Sequence, residues 1–328
     1  MRPKVFVTRK IPDSALQMLH AFCEVDMWPE EDIPVPRDLL EQKIREADGL
    51  YCLLTENVDR ALLDLAPNLK IISNMAVGYN NIDIEEASRR KIMVTNTPDV
   101  LTETTADLTF ALLLAAARRI VEADRFLRKG EWKTWSPMLL TGQDVHQATL
   151  GIIGLGRIGL AVAKRAKGFD MQVLYHSHSR KEEAERTWGL RYAQLDELLE
   201  QSDFVCVMTP LTKETYHMIG ERELGRMKPT AVLINSARGG IVDEQALYNA
   251  LKDGTIWAAG LDVFEQEPVP PDHPLLSLPN VVTLPHIGSA SIRTRIRMAE
   301  LAAENLRAGL SGSIPKYLVN KDIVQTPS

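Results

Sequence analysis

Residues Thr149–Gly168 read TLGIIGLGRIGLAVAKRAKG: a short apolar run, a turn with glycines at 154, 156 and 159, and then a helical pattern. In a strand–turn–helix unit that holds a dinucleotide, each glycine has its own task. The first, Gly154, permits the tight turn; Gly156 lets backbone approach a pyrophosphate; Gly159 lets the helix pack close to the strand. The helix then presents free N–H groups and a partial positive charge to the anion. The spacing alone is a weak signal, but here it has its context. Apolar residues precede the turn, and Ile158, Val162 and Ala166 follow at helical spacing.

The chain has 328 residues, more than one typical domain core holds, so two domains are expected. With 45% hydrophobic and 25% charged residues it has the composition of an ordinary globular protein. A formal net charge of −6 argues against general nucleic-acid binding, which needs clustered Lys and Arg. Cys23, Cys52 and Cys206 lie far apart with no CxxC spacing. They read as reduced core thiols of a cytoplasmic protein, not as a disulfide frame or a zinc site. The amino-terminal MRPKVFVTRKIPDS holds no apolar run of signal-peptide length. Phe110–Ala117, the most apolar run, is far shorter than the ~20 residues of a membrane span.

Upstream of the glycine turn, strand-like runs at Lys4–Thr8, Glu24–Trp28, Gly49–Leu54, Lys70–Asn74 and Ile92–Val94 alternate with helical segments, the first at Asp13–Phe22. Such alternation predicts a doubly wound parallel sheet. One long helical pattern covers Thr102–Lys129, with Thr104 and Asp107 spaced as a capping pair, and reads as the crossing into a second domain. Residues 130–146 form an irregular excursion carrying Trp132 and Trp135. The second series has strand-like runs at Thr149–Ile153, Gln172–His176, Asp203–Met208, Ala231–Asn235, Ile256–Leu261 and Val281–Leu284. Helices are expected between them at Lys181–Thr187, Leu195–Gln201, Glu221–Met227 and Glu244–Lys252. A final amphipathic helix, SIRTRIRMAELAAENLRAGL, is expected to return to the first domain. The expected division is 1–100 with 288–328, and 101–287.

Three stretches behind the glycine turn each deliver one unusual polar residue where a strand should end. Arg238 follows AVLINSA, Glu267 follows LDVFEQ and His286 follows VVTLP. Ligands of open α/β sheets bind outside the carboxyl ends of the strands. Arginine forks onto a carboxylate and polarises the adjacent carbonyl oxygen; imidazole gives that oxygen a proton as hydride arrives. A carboxylate beside the imidazole orients it and favours its protonated form. Singly, each residue also has an ordinary reading: a surface ion-pair partner, a solvated loop acid, a packing histidine. Their conjunction behind one glycine turn points to reduction of a 2-oxo acid.

With these residues in place, the chain resembles the D-isomer-specific 2-hydroxyacid dehydrogenases, and within them the glyoxylate/hydroxypyruvate reductases. The resemblance runs over the whole chain. It rests on GLGRIG (154–159), INSARGGIVDEQAL (234–247), AAGLDVFEQEP (258–268), LPHIGSAS (284–291), MAVGYNNID (75–83) and TPDVLTETTAD (97–107). It implies a Rossmann-type cofactor domain inserted into a discontinuous, flavodoxin-like substrate domain, with the active site in the cleft between them. The family's arginine, glutamate and acid–base histidine fall on Arg238, Glu267 and His286. Its carboxylate-binding loop falls on the amides of Val77 and Gly78, with Leu53, Ser289 and Trp135 among the substrate contacts. Simple packing at a strand end for Leu53, and at a homodimer interface for Trp135, remain open as alternatives. The cofactor contacts implied are Thr105, the turn residues Gly154, Leu155, Gly156, Arg157, Ile158 and Gly159, then Thr209, Pro210, Ser236, Ala237, Arg238, Asp262, His286 and Gly288.

One departure bears on the cofactor. An NAD-type site expects an acid about 20 residues past the glycine turn, on the ribose 2′-hydroxyl. Here that position falls in Tyr175-His176-Ser177-His178-Ser179-Arg180, with no acid before Glu182. Ser177, His178, Ser179 and Arg180 can donate to a 2′-phosphate, so NADPH is the expected cofactor, with NADH second. A homodimeric reductase of small 2-oxo acids, without metal, nucleic acid or membrane partner, is the expected whole. The alternatives are 2-ketogluconate reduction, D-lactate-type or D-3-phosphoglycerate oxidation, the last disfavoured because no further domain follows. A dinucleotide-sensing corepressor of related fold is the alternative from another class.

Overall fold

The computed structural model describes residues 2–324; Met1 and residues 325–328, the last four of the segment assigned above to the substrate domain, lie outside the described residues. The chain forms two compact units, Met1–Leu101 with Ala290–Ser328, and Thr102–Ser289. In the first, strands β1 (Lys4–Val7), β2 (Glu24–Met27), β3 (Gly49–Cys52), β4 (Ile71–Asn74) and β5 (Met93–Thr95) form one sheet. Its order is β2-β1-β3-β4-β5 and every pairing is parallel. This is the flavodoxin-like order. Strands β3 and β4 are buried along their whole length, as strands covered by helices on both faces must be.

The helix Ile292–Leu310 begins behind Ser291, whose hydroxyl accepts the Thr294 N–H at 3.4 Å. It lies on this first sheet: the Tyr51 hydroxyl donates to the Ala299 carbonyl at 3.1 Å, and that of Ser73 to the Ala302 carbonyl at 2.9 Å. Buried Leu301, Ala302 and Leu306 supply its apolar face.

The second unit holds β6 (Thr149–Ile153), β7 (Gln172–His176), β8 (Arg191–Tyr192), β9 (Phe204–Val207), β10 (Val232–Asn235), β11 (Ala258–Leu261) and β12 (Val281–Thr283). The order is β12-β11-β10-β9-β6-β7-β8, again entirely parallel. The chain runs outward from β6 through β7 to β8, then jumps back to β9 on the other side of β6. That reversal is a topological switch point, where such sheets take their ligands. The two-residue β8 is the strand that period-two patterning did not reveal; it is too short to carry a pattern.

The long helical pattern of 102–129 is two helices, Thr102–Ala117 and Ile120–Arg128. Arg119 interrupts it with a left-handed backbone, φ +54°. The helix starts at Thr102, ahead of Thr104, and the Asp107 carboxylate instead receives Arg165 of the glycine-turn helix at 2.7 Å. Arg165 also pairs with Glu103 at 2.9 Å, so two ionic contacts join these helices. Residues 130–146 form no helix or strand. No helix among the described residues is long and apolar enough to cross a membrane.

Cys23, Cys52 and Cys206 are free and buried. Burial pushes the Cys23 thiol up to about 11 and Cys206 to about 12, with Cys52 also well above its usual value. Tyr51→Phe keeps the volume of a fully buried side chain but removes its bond to Ala299. The loss expected from denaturant unfolding is about 1 kcal/mol.

Candidate active site

β6 runs into the glycine turn at the centre of its sheet. Gly154 sits at φ +99°, and a Cβ there would lie 2.6 Å from the Thr209 backbone nitrogen. Both facts exclude a side chain. The turn is tied to the end of β7: Gly154 N–H donates to the His176 carbonyl at 2.8 Å and Leu155 N–H to Ser177 Oγ at 2.7 Å. Gly156 then leads into the helix Arg157–Ala166, and no atom lies within 4 Å of where its Cβ would be. Backbone amides at a helix start, beside open space and at a switch point, suit a pyrophosphate.

Three strand ends beyond the turn converge. After β10, fully buried Asn235 folds the chain back: its side-chain amide donates to the Arg238 carbonyl at 2.8 Å and its oxygen accepts Ala237 N–H at 3.1 Å. Gly239 follows, and a Cβ there would fall 1.8 Å from the Phe264 carbonyl carbon. Only glycine lets the Arg238 turn lie against the 264–265 backbone. Burial holds the Arg238 guanidinium below its usual range, with Glu267 partly offsetting this.

Glu267 accepts Phe264 N–H on Oε1 at 3.0 Å and holds His286 Nδ1 on Oε2 at 2.7 Å. Burial pushes its carboxyl up, but the His286 hydrogen bond and charge, with smaller help from Phe264 and Arg238, bring it below the ordinary value. His286 itself has a left-handed backbone, φ +52°. Asp262, at the end of β11, fixes that turn twice. Its carbonyl accepts His286 N–H at 2.9 Å and its Oδ1 accepts Ile287 N–H at 2.8 Å. With Nδ1 on Glu267, Nε2 of His286 is the nitrogen left to exchange a proton with a bound molecule.

Asp262 has a second feature. It is fully buried, and its Oδ2 has no hydrogen-bond partner among the described residues. Burial raises its carboxyl above the usual range, offset in part by Ile287 N–H, by the charge of His286 and by the Gly288 N–H nearby. A buried acceptor without a donor is costly, and an amide-bearing ligand relieves it. The glycine turn with its open space and this orphan oxygen together fit a nicotinamide dinucleotide.

Residues 110–288 match the family model "D-isomer specific 2-hydroxyacid dehydrogenase, NAD binding domain". Along the chain, a glyoxylate reductase of Korarchaeum cryptofilum is 56% identical over 326 residues, 99% of this chain and 98% of that one. The chain belongs to the D-isomer-specific 2-hydroxyacid dehydrogenases. A solved protein of Thermus thermophilus is 46% identical with a TM-score of 0.90, covering 96% of this chain and 99% of its own. A solved NADPH-dependent glyoxylate/hydroxypyruvate reductase of Sinorhizobium meliloti, in complex with NADP and malonate, is 37% identical with a TM-score of 0.85, each chain covered completely.

In this dehydrogenase the remaining expected contacts fall as follows. Thr209 and Pro210 follow β9, Ser236 and Ala237 follow β10, and Gly288 and Ser289 follow His286. Ser236 Oγ lies 2.6 Å from the Thr109 hydroxyl, one turn along its helix from buried Thr105. Leu155 is buried in the glycine turn, Ile158 is half-buried, and Arg157 is exposed at the helix start.

The loop after β7 is less open than the sequence implies. Ser177 accepts Leu155 N–H, Ser179 accepts from Lys181 at 3.0 Å, and Arg180 makes a two-point fork on Glu185, both arms at 2.8 Å. His178 is exposed. Glu185 is the residue that sequence reasoning missed there, because it lies on the following helix.

In the first unit, the Leu53 backbone is fixed from both sides. Its N–H donates to Glu56 Oε2 at 2.7 Å and its carbonyl accepts Asn81 Nδ2 at 2.9 Å. Glu56 is buried and also takes the Thr8 hydroxyl at 2.7 Å and Arg9 at 3.4 Å. Val77 and Gly78 lie half-buried in the loop after β4. Trp132 and Trp135 are 56% and 75% exposed, so neither belongs to the core of its unit.

The depressed Glu267 carboxyl fixes a sign. Such a group stabilises the fold above its unfolded value of about 4.3, and the gain is lost as pH falls through the lower folded value. Glu267→Gln is therefore expected to melt below the wild type at pH 7, with the two melting temperatures drawing together as pH falls past the ordinary carboxylate range of about 4.3 in a thermal series.

Proposed function

We propose that this dehydrogenase is an NADPH-preferring reductase of small 2-oxo acids, glyoxylate and hydroxypyruvate first. The observation that carries the reading is the Glu267–His286 pair, 2.7 Å long, with its turn fixed by Asp262, the charge of Arg238 acting on Glu267, and all three on the same carboxyl edge of the parallel sheet as the glycine turn. A nicotinamide dinucleotide, once bound, would supply the hydride that reduces the substrate's carbonyl carbon. Arg238 binds the 2-oxo acid and polarises its carbonyl oxygen. His286 gives that oxygen a proton from Nε2, and Glu267 keeps the ring oriented through Nδ1. The amides of Val77 and Gly78 take the substrate carboxylate. Asp262, with an unpartnered Oδ2, and the amides of the glycine turn are the groups that would hold the dinucleotide, the first through an amide donor and the second through its pyrophosphate.

NADPH preference rests on the segment 176–181, which has no acid to repel a 2′-phosphate. Ser177, His178, Ser179 and Arg180 are its donors, although Arg180 must share its fork with Glu185. One charge-assisted hydrogen bond is worth about 1.5–3 kcal/mol, roughly tenfold to a hundredfold in selectivity.

The apolar surface argues for a homodimer. Ile120 and Leu127 of the helix Ile120–Arg128 are 52% and 57% exposed, and Trp132, Trp135 and Met138 follow at 56%, 75% and 76%. A run of large exposed apolar groups of this kind marks a protein interface. A second copy covers it in this reading, with Trp135 contributing to the partner's substrate site, in a cytoplasmic enzyme.

Three experiments test the proposal. Steady-state kinetics with a panel of 2-oxo acids are expected to give at least tenfold higher kcat/KM with NADPH than with NADH. His286→Ala is expected to lose most turnover while still binding NADPH by fluorescence titration; unchanged kcat removes the mechanism. In the third, Trp135→Ala is expected to shift the sedimentation profile toward monomer or to alter substrate preference, and a variant that does neither ends the interface reading.

A further inference from the structure

The loop that follows β4 carries three consecutive carbonyls, and each is pinned by a different donor. Ala76 O accepts the Thr97 backbone N–H at 2.8 Å. Val77 O accepts Asn96 Nδ2 at 2.8 Å, and Gly78 O accepts Asn74 Nδ2 at 2.8 Å. A trans peptide is planar, so a carbonyl and the N–H of the next residue point opposite ways. Fixing these three carbonyls turns the amides of Val77, Gly78 and Tyr79 away from the donors. None of those three amides donates to an acceptor among the described residues. Val77 and Gly78 are half-buried and Tyr79 is exposed, so the outward side is where a ligand has access.

The two asparagines are themselves held. Asn74 is fully buried at the end of β4, with its amide also 3.5 Å from Asn81 Oδ1. Asn96 follows β5, and its backbone carbonyl accepts the buried Asn305 amide at 3.0 Å. The donors thus lie at the end of β4 or directly after β5, and the loop hangs from them. Left to itself, a short loop of this kind can rotate each peptide and expose carbonyl oxygen in place of N–H, which repels an anion. Successive N–H groups facing one way make an anion-binding concavity.

We infer that Asn96 is a positioning residue for the substrate carboxylate: it holds the Val77 carbonyl inward so that the Gly78 amide faces the anion, while Asn74, on the Gly78 carbonyl, steadies the next peptide of the same loop. This rests on the 2-oxo acid reading above. Neither side chain touches substrate; each acts through the peptide it holds. Asparagine suits the task because its amide donates without bringing a charge near an anionic ligand, whereas aspartate offers only acceptors.

The test separates binding from chemistry. In wild type, oxalate, a dicarboxylate close in size to glyoxylate, is expected to inhibit competitively against it. Asn96→Ala is expected to raise KM for glyoxylate and Ki for oxalate together, about tenfold, with kcat and the KM for NADPH within about twofold of wild type. Should that variant fail to fold, Asn96→Asp, of the same size but unable to donate, carries the same expectation. A folded variant that keeps wild-type KM and Ki overturns the inference. So does one that loses kcat or NADPH affinity while KM for glyoxylate stays put, since that is the mark of a merely structural residue. If oxalate fails to compete in wild type, the carboxylate reading itself falls, independently of the asparagines.

Discussion

Both sheets are wholly parallel, and that constraint organises everything else. A parallel neighbour can be reached only by a crossover, so the inner strands β3, β4, β9 and β10 are covered on both faces and buried throughout, while the edge strands β2 and β8 stay partly exposed. Polar groups are then confined to strand ends, and in a parallel sheet all carboxyl ends lie along one edge. Asn74, Asn235 and Asp262 each occupy such an end, or the position just past it, and each is almost wholly buried. None of them is drawn into the core by its own chemistry. Each is there because a loop needs its backbone groups satisfied as it leaves the sheet.

The consequence is a division of labour between buried and half-exposed polar residues. Asn235 shapes the Arg238 turn, Asp262 shapes the His286 turn, and Glu56 with Asn81 shapes the Leu53 loop. Arg238, His286 and Leu53 are thereby held by buried neighbours, and one of those neighbours, Asp262, keeps a second oxygen free of the turn it shapes. Gly239 belongs to the same scheme: its missing side chain brings the Arg238 and Glu267 segments into contact. Such support is what precise placement of reacting groups requires.

The fold class is legible because strands such as FVCV and VLIN at β9 and β10 announce themselves by composition, and the glycine turn by its spacing. Arg238, Glu267 and His286 are legible because each is a polar surprise behind an apolar run. The rest is hidden for identifiable reasons. The break at Arg119 arises from a left-handed residue that is not glycine, which no propensity anticipates. Arg165 claims Asp107 from another helix, a contact that is 58 residues away in sequence. Glu185 reaches back to Arg180 across a turn, so a loop that reads as purely cationic carries a built-in counter-charge. Tertiary pairing and a lone backbone reversal, not local pattern, decide all three.

The three buried thiols have a use apart from the chemistry. Cys23 and Cys52 lie in the first unit and Cys206 in the second, each shielded by burial and kept protonated. A thiol reagent can reach them only when the surrounding unit opens. The molecule therefore carries its own reporters of breathing, two in one half and one in the other. The order in which they become alkylated records which half loosens first.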